Sequence, residues 1–170
     1  MTLPEKAFSI GEFINCRHGG DIFMLDVLSI PEIKCVIIGS FRKHYDDIVK
    51  VIHIFESKNI EVTSPKKSWI INRDADFVIL ASDFQETGKD IKVQYIESKV
   101  LSMIEEASFI YLYNPDGYIG VSTAFEIGFA YKVKKPIFAA NSPTDIMLAE
   151  YINEIILPQD IQEKIKEEVK

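Results

Sequence analysis

Residues 35–63, CVIIGSFRKHYDDIVKVIHIFESKNIEVT, decide the fold class. The apolar run Cys35–Gly39 is short and rich in β-branched residues, as is Ile60–Thr63. Between them, from Lys43 to Lys58, Ile48, Val51, Ile52 and Phe55 recur at steps of three and four, the period of an amphipathic helix. Strand, helix and strand in that order make a βαβ unit, which implies a parallel sheet.

Outward from this unit the alternation continues. Phe77–Leu80, Phe109–Tyr113 and Pro136–Ala139 read as further strands. Val93, Ile96, Val100, Ile104 and Ala107 form one helical stripe from Lys92 to Ala107. A helix from about Ser122 to Lys132 is apolar nearly all round, which predicts burial on most sides. The expected fold is therefore a single-domain α/β protein with a mostly parallel five-stranded sheet and helices on both faces, Rossmann-like or flavodoxin-like. Residues 1–33, broken by Gly19-Gly20, read as an N-terminal extension without legible structure. Residues 34–157 form the domain, and 158–170 a charged helical tail for the surface or a partner chain.

Composition narrows the function. The 170 residues are 47% hydrophobic and 26% charged, with 8 Gly and 7 Pro, so the chain is an ordinary globular one and neither disordered nor of low complexity. Nineteen basic against 26 acidic residues give a formal net charge of −7, which argues against binding a nucleic-acid backbone or an anionic membrane face and favours a small ligand. Cys16 and Cys35 are too few for a disulfide framework, and Cys35 lies in an apolar run where a buried free thiol is ordinary. No apolar run is long enough to span a membrane and the start lacks a signal-peptide layout, so a reducing, cytoplasmic setting is expected. His18, His44 and His53 lack metal-ligand spacing, and neither a Walker loop nor a dinucleotide fingerprint is present, so no metal and no cofactor are expected.

In open α/β sheets ligands bind beyond the carboxyl ends of strands. After the first strand, Gly39-Ser40-Phe41-Arg42-Lys43 offers close backbone approach, a hydroxyl and a guanidinium for an anion; the plainer reading is a turn at Gly39 and a helix cap at Ser40. After Tyr113 comes Asn114-Pro115-Asp116-Gly117-Tyr118-Ile119-Gly120-Val121-Ser122-Thr123, a turn followed by small residues at a helix start. Glu126 is anomalous within an apolar helix. Either Thr123 and Glu126 form a capping box, or Glu126 is a pocket carboxylate able to attack an anomeric carbon.

These residues resemble the nucleoside 2-deoxyribosyltransferase-like family, which includes deoxynucleoside 5′-monophosphate N-glycosidases. The resemblance spans roughly residues 34–150 and rests on Gly39-Ser40-Phe41-Arg42, on Ile104-Glu105-Glu106-Ala107-Ser108-Phe109, and above all on Thr123-Ala124-Phe125-Glu126-Ile127-Gly128-Phe129-Ala130 with Lys135-Pro136-Ile137 behind it. It implies a glutamate nucleophile at Glu126, with Gly39, Ser40, Phe41, Arg42, Asp116, Gly117, Tyr118, Gly120, Ser122 and Thr123 about the substrate. Implied too are cleavage or exchange of the N-glycosidic bond of a deoxynucleoside or its 5′-monophosphate, and a homo-oligomer in which a neighbour helps close the pocket. Two departures from the family pattern fall at Val100, where an aspartate on the helix is common, and at Gly120, where an aspartate or serine is; Glu97, one turn before Val100, and Asp116 are the candidate substitutes, which the resemblance itself does not show. The rival readings are a nucleotide-binding or sensing module without turnover, and a phosphoribohydrolase of a related nucleotide.

Overall fold

A computed structural model describes residues 32–87 and 92–168, and all its elements belong to one compact unit, Pro31–Lys170. The expected extension over residues 1–33, with Cys16 and His18, lies almost wholly outside the described residues. In chain order the elements are β1 Ile33–Gly39, α1 Phe41–Glu56, β2 Ile60–Ser64, α2 Ala81–Thr87, α3 Val93–Glu106, β3 Phe109–Tyr113, α4 Val121–Lys132, β4 Ile137–Ala139, α5 Ile146–Ala149, β5 Glu154–Ile155 and α6 Ile161–Glu168. The strands form one sheet in the order β2-β1-β3-β4-β5, and every pairing is parallel. The α/β fold with a parallel five-stranded sheet is thus the one observed.

Alternation along the strands divides the core in two, because successive side chains of a strand point to opposite faces. Cys35, Ile37, Phe109, Tyr111 and Phe138 pack with Ile48, Val51, Ile52 and Phe55 of α1. Val36, Ile38, Ile110, Leu112, Ile137 and Ala139 pack on the other side with Ile104 of α3 and Ile127 and Ala130 of α4. Helices therefore cover both faces. The tail helix α6 buries Ile161 and Ile165 in the α1-side cluster, and Gln162 donates to the Lys58 carbonyl at 3.3 Å. Cys35 is a buried free thiol, its ionisation pushed well up by burial.

Three local readings need correction. Phe77–Leu80 is not a sheet strand: the segment instead returns along Trp69–Ile71 as the second arm of a hairpin, bridged antiparallel between Ile70 and Leu80. That hairpin is tied by Ile71 N–H to the Ile79 carbonyl and Ala81 N–H to the Trp69 carbonyl, both at 2.9 Å. Asn72 clamps it from inside, donating to the Phe77 carbonyl and accepting from the Ile79 N–H. The fifth strand is β5, whose two residues carry no readable period. Finally, α4 is not buried on most sides: Thr123, Glu126, Ile127 and Ala130 face inward, while Val121 is 91% and Phe125 56% exposed. It packs on one sheet face and on α3, and nothing among the described residues covers its outer face.

Candidate functional site

The sheet order reverses between β1 and β3, the point where ligands bind in such sheets. A cavity of about 360 Å³ opens there, within the size range of small-molecule sites. The β1–α1 junction, the end of β2, the Asp76–Leu80 arm, one face of α3 and the start of α4 enclose it.

Gly39 ends β1 at φ 154°, and a Cβ there would stand 2.5 Å from the Tyr113 carbonyl oxygen of β3. Glycine is required for the two strand ends to lie together, and the chain turns directly into α1. Ser40 occupies the N-cap position of α1 with extended backbone, yet its side chain makes no cap hydrogen bond. The first turn instead hangs on the Ser40 carbonyl, which accepts from Lys43 and His44, and the helix kinks at His44. The Ser40 hydroxyl, Phe41 and Arg42 line the cavity; the Arg42 guanidinium lies 3.7 Å from Asp76 across the mouth, in an exposed pair.

The other wall is the β3–α4 connection. Tyr118, Gly120, Ser122 and Thr123 line the cavity, and Lys43 Nζ sits 3.5 Å from the centre of the Tyr118 ring. Asp116 and Gly117 do not line it. Asp116 accepts the Tyr118 N–H at 3.1 Å and faces Lys43 at 3.7 Å and His44 at 3.4 Å. These contacts hold its carboxyl below the usual range, the turn hydrogen bond most of all. Gly117, at φ 73°, lets the turn lie against Ser142 and Thr144. The Asp116-Gly117 pair therefore shapes the connection outside the cavity.

Glu126 is the buried carboxyl on the cavity wall. The N-cap of α4 is Gly120, so Thr123 already lies inside the helix and Glu126 lies a turn deeper. The capping-box alternative is excluded on that geometry, since a capping box needs Thr123 at the N-cap. Glu126 is 9% exposed and lines the cavity. Burial pushes its carboxyl well above the ordinary range, and the like charge of Glu97 adds to the shift.

Glu97 reaches the same cavity from α3, where Ile96, Glu97, Val100 and Met103 present one face to it. The side chain as a whole is half-buried, but Oε1 is sequestered and has no hydrogen-bond partner. Desolvation raises this carboxyl too. Of the residues that the resemblance placed about the substrate, all but Asp116 and Gly117 thus line one cavity with Glu97 and Glu126.

Other lining residues carried no local signal. Thr63, Ser64 and Lys66 arrive from the end of β2, Asp83 from α2 and Lys99 from α3. Tyr45 fixes the β2 exit, donating to the Lys66 carbonyl at 2.9 Å and accepting from the Ser68 N–H at 3.0 Å. Only the βαβ reading, which places the end of β2 beside that of β1, pointed to any of them. Among the described residues no group of His, Cys, Asp and Glu is arranged to hold a metal ion, and no helix is long and apolar enough to cross a membrane.

The protein is thus a flavodoxin-like α/β protein with a carboxylate-bearing cavity at the switch point of its sheet. It shares this fold with the 2-deoxyribosyltransferase of the psychrotolerant bacterium Bacillus psychrosaccharolyticus: the TM-score is 0.54 at 18% identity, over 76% of this chain and 90% of that one. Similar too are the CMP N-glycosidase BcmB of Clostridium botulinum, TM-score 0.47 at 14% identity over 80% and 97% of the two chains, and a conserved protein of Enterococcus faecalis V583, 0.48 at 13% over 80% and 98%. No protein-family model and no curated protein sequence matches the chain.

Proposed function

We propose that the protein cleaves or exchanges the N-glycosidic bond of a deoxynucleoside or its 5′-monophosphate, with Glu126 as the nucleophile. The observation that carries this reading is a glutamate buried in the interior of a helix, freed from any capping role, whose carboxyl lines a nucleoside-sized cavity at the switch point. A carboxylate so placed forms a bond to the anomeric carbon as the base departs, and water or a second base then releases the sugar. The fold shared with a 2-deoxyribosyltransferase supports the same chemistry. In this reading Ser122 and Thr123 lie beside the sugar, and Ser40 and Arg42 face its 5′ end, where a phosphate meets both a guanidinium and the first N–H groups of α1.

The test is incubation of the purified protein with a panel of deoxynucleosides and their monophosphates, with chromatography for free base. Wild type is expected to release base from at least one of them, and Glu126→Gln to bind that substrate without releasing base. Tight binding with no release from wild type would instead establish a sensing module. Undiminished release by Glu126→Gln would remove Glu126 from the reaction.

A further inference from the structure

Two walls of the cavity are tied to each other outside it, through the carboxylate of Asp116. In the β3–α4 connection its Oδ1 accepts the Tyr118 N–H at 3.1 Å. The same oxygen lies 3.4 Å from His44 Nε2, and Oδ2 lies 3.7 Å from Lys43 Nζ, both residues at the start of α1. Lys43 in turn rests on the Tyr118 ring, 3.5 Å from its centre. One wall gives Phe41 and Arg42 to the cavity just before Lys43 and His44, and the other gives Tyr118 and Gly120 just after Asp116. The helix kinks at His44, so the turn that carries Phe41 and Arg42 is set off from the rest of α1. His44 Nε2 is buried and makes no hydrogen bond, although it stands at ion-pair distance from Asp116. A buried polar atom without a partner calls for an explanation. A neutral imidazole brings no charge to this contact, whereas a protonated one sets a cation against the carboxylate.

From this arrangement we propose that Asp116 is a positioning residue, and that its pairing with protonated His44 clasps the two cavity walls together and holds Tyr118 in place for the substrate. The proposal rests on the reading of the cavity as the nucleoside site. Asp116 faces His44 from the β3–α4 connection, Tyr113 faces it from β3 with its ring edge-on at 6.2 Å, and Lys43 and Asp47 stand beside it on α1, the last paired with Lys50 at 2.6 Å. The turn hydrogen bond and then the charges of His44 and Lys43 hold the Asp116 carboxyl low, Lys50 does the same for Asp47, and burial pushes the Tyr113 hydroxyl up. Those three therefore keep their charge states between about pH 5 and about pH 8, the range in which a histidine ordinarily changes its own. As pH rises through that range the clasp loses one of its two cations. Lys43 alone, in a partly exposed pair, is left to hold the connection. Tyr118 is then freer, and a ligand in the cavity is bound less firmly.

Asp116→Asn separates the clasp from the turn, because the amide oxygen still accepts the Tyr118 N–H while the charge is gone. The first measurement is NMR of the unliganded protein from about pH 5 to about pH 8, following the His44 imidazole and the Tyr118 ring. In wild type the Tyr118 signals are expected to move along the His44 titration curve, and in Asp116→Asn and His44→Gln that coupled movement is expected to be lost. A direct effect of the imidazole charge on the ring would survive in Asp116→Asn. Tyr118 signals that move there as in wild type, or that ignore His44 in wild type, would therefore overturn the proposal. The second measurement is calorimetry in the Glu126→Gln background, with whichever 2′-deoxynucleoside or 5′-monophosphate of adenine, guanine, cytosine or thymine wild type cleaves. Its affinity is expected to fall about two- to fivefold over the same pH range, the reach of a partly exposed ion pair, and to lose that fall when Asp116→Asn is added. An equal fall with and without Asp116→Asn would remove the positioning role, because the other titrating groups, Glu97 among them, are common to both. If wild type cleaves none of these compounds, the proposed function fails, and the NMR comparison still decides whether the clasp exists.

Discussion

Replacing Glu126 by Gln is expected to change how stability depends on pH, and the structure sets the slope. In the folded chain burial and then the charge of Glu97 raise the Glu126 carboxyl well above its ordinary value, whereas in the unfolded chain it titrates near about pH 4.3. Between those two values the folded state keeps a proton that the unfolded state has lost. Stability contributed by that proton is complete below the unfolded value and is lost as pH rises through the folded one. Wild type therefore loses about 1.4 kcal/mol per pH unit relative to Glu126→Gln over that window, after which the difference levels off. At acid pH, where both side chains are neutral and nearly isosteric, the two proteins are expected to agree within about 1 kcal/mol. Glu97 is raised by desolvation in its own right, so its contribution persists in the variant and largely cancels in the difference. Urea unfolding of both proteins from about pH 4 to about pH 9 measures the effect; the corresponding shift in Tm is about 3–6 °C per unit. Parallel stability curves, or a wild type that gains on the variant as pH rises, would refute the argument that Glu126 is buried at the expense of its charge.

Base release is expected to rise with pH through an ionisation lying above the ordinary carboxylate range, because the Glu126 carboxyl, raised by burial and then by the charge of Glu97, has to lose its proton before it can attack; kcat/KM against pH measures it. Arg42→Ala is expected to weaken a 5′-monophosphate by about 1.5–3 kcal/mol and its nucleoside hardly at all, measured by calorimetry on Glu126→Gln so that nothing turns over. Because the Arg42–Asp76 pair is exposed, the same substitution should move unfolding stability by no more than about 1 kcal/mol. Gly39→Ala forces a Cβ to within 2.5 Å of the Tyr113 carbonyl at φ 154°, and is expected to cost about 1–3 kcal/mol in urea unfolding and to open the β1–β3 junction beneath the cavity. Gly120→Ser meets nothing nearer than the Tyr118 hydroxyl at 3.8 Å and adds a capping hydroxyl to α4, so a gain of a few tenths of a kcal/mol is expected.

What was legible in the chain was what local period and chain order encode. Ile48, Val51, Ile52 and Phe55 define α1 by their spacing alone, and alternation in β1 and β3 sorts Cys35 and Ile37 from Val36 and Ile38 before any partner is known. Phe77–Leu80 shows where this ends. Four apolar residues carry a strand's composition whether they join the sheet or pair elsewhere, and here Trp69–Ile71 takes them into a hairpin. The two-residue β5 fails for the opposite reason, being held by neighbours: Asn153 exchanges hydrogen bonds with Ile137, and Ile156 donates to Ala139. The same division runs through the site. Residues directly after a strand, such as Ser40 and Arg42, are found once parallel topology is inferred, whereas Asp116 follows a strand just as closely and is turned outward by its own Asx turn and by Lys43 and His44. Glu97 belongs to neither group. It is singled out only through the family resemblance, as a substitute near Val100; its own sequence context is that of a solvated helix glutamate, and the packing of α3 against α4 brings it and Glu126 to one cavity. An improbable residue in an apolar helix can be singled out from sequence, but its neighbours in a cavity have to be read from which helix face the fold turns inward.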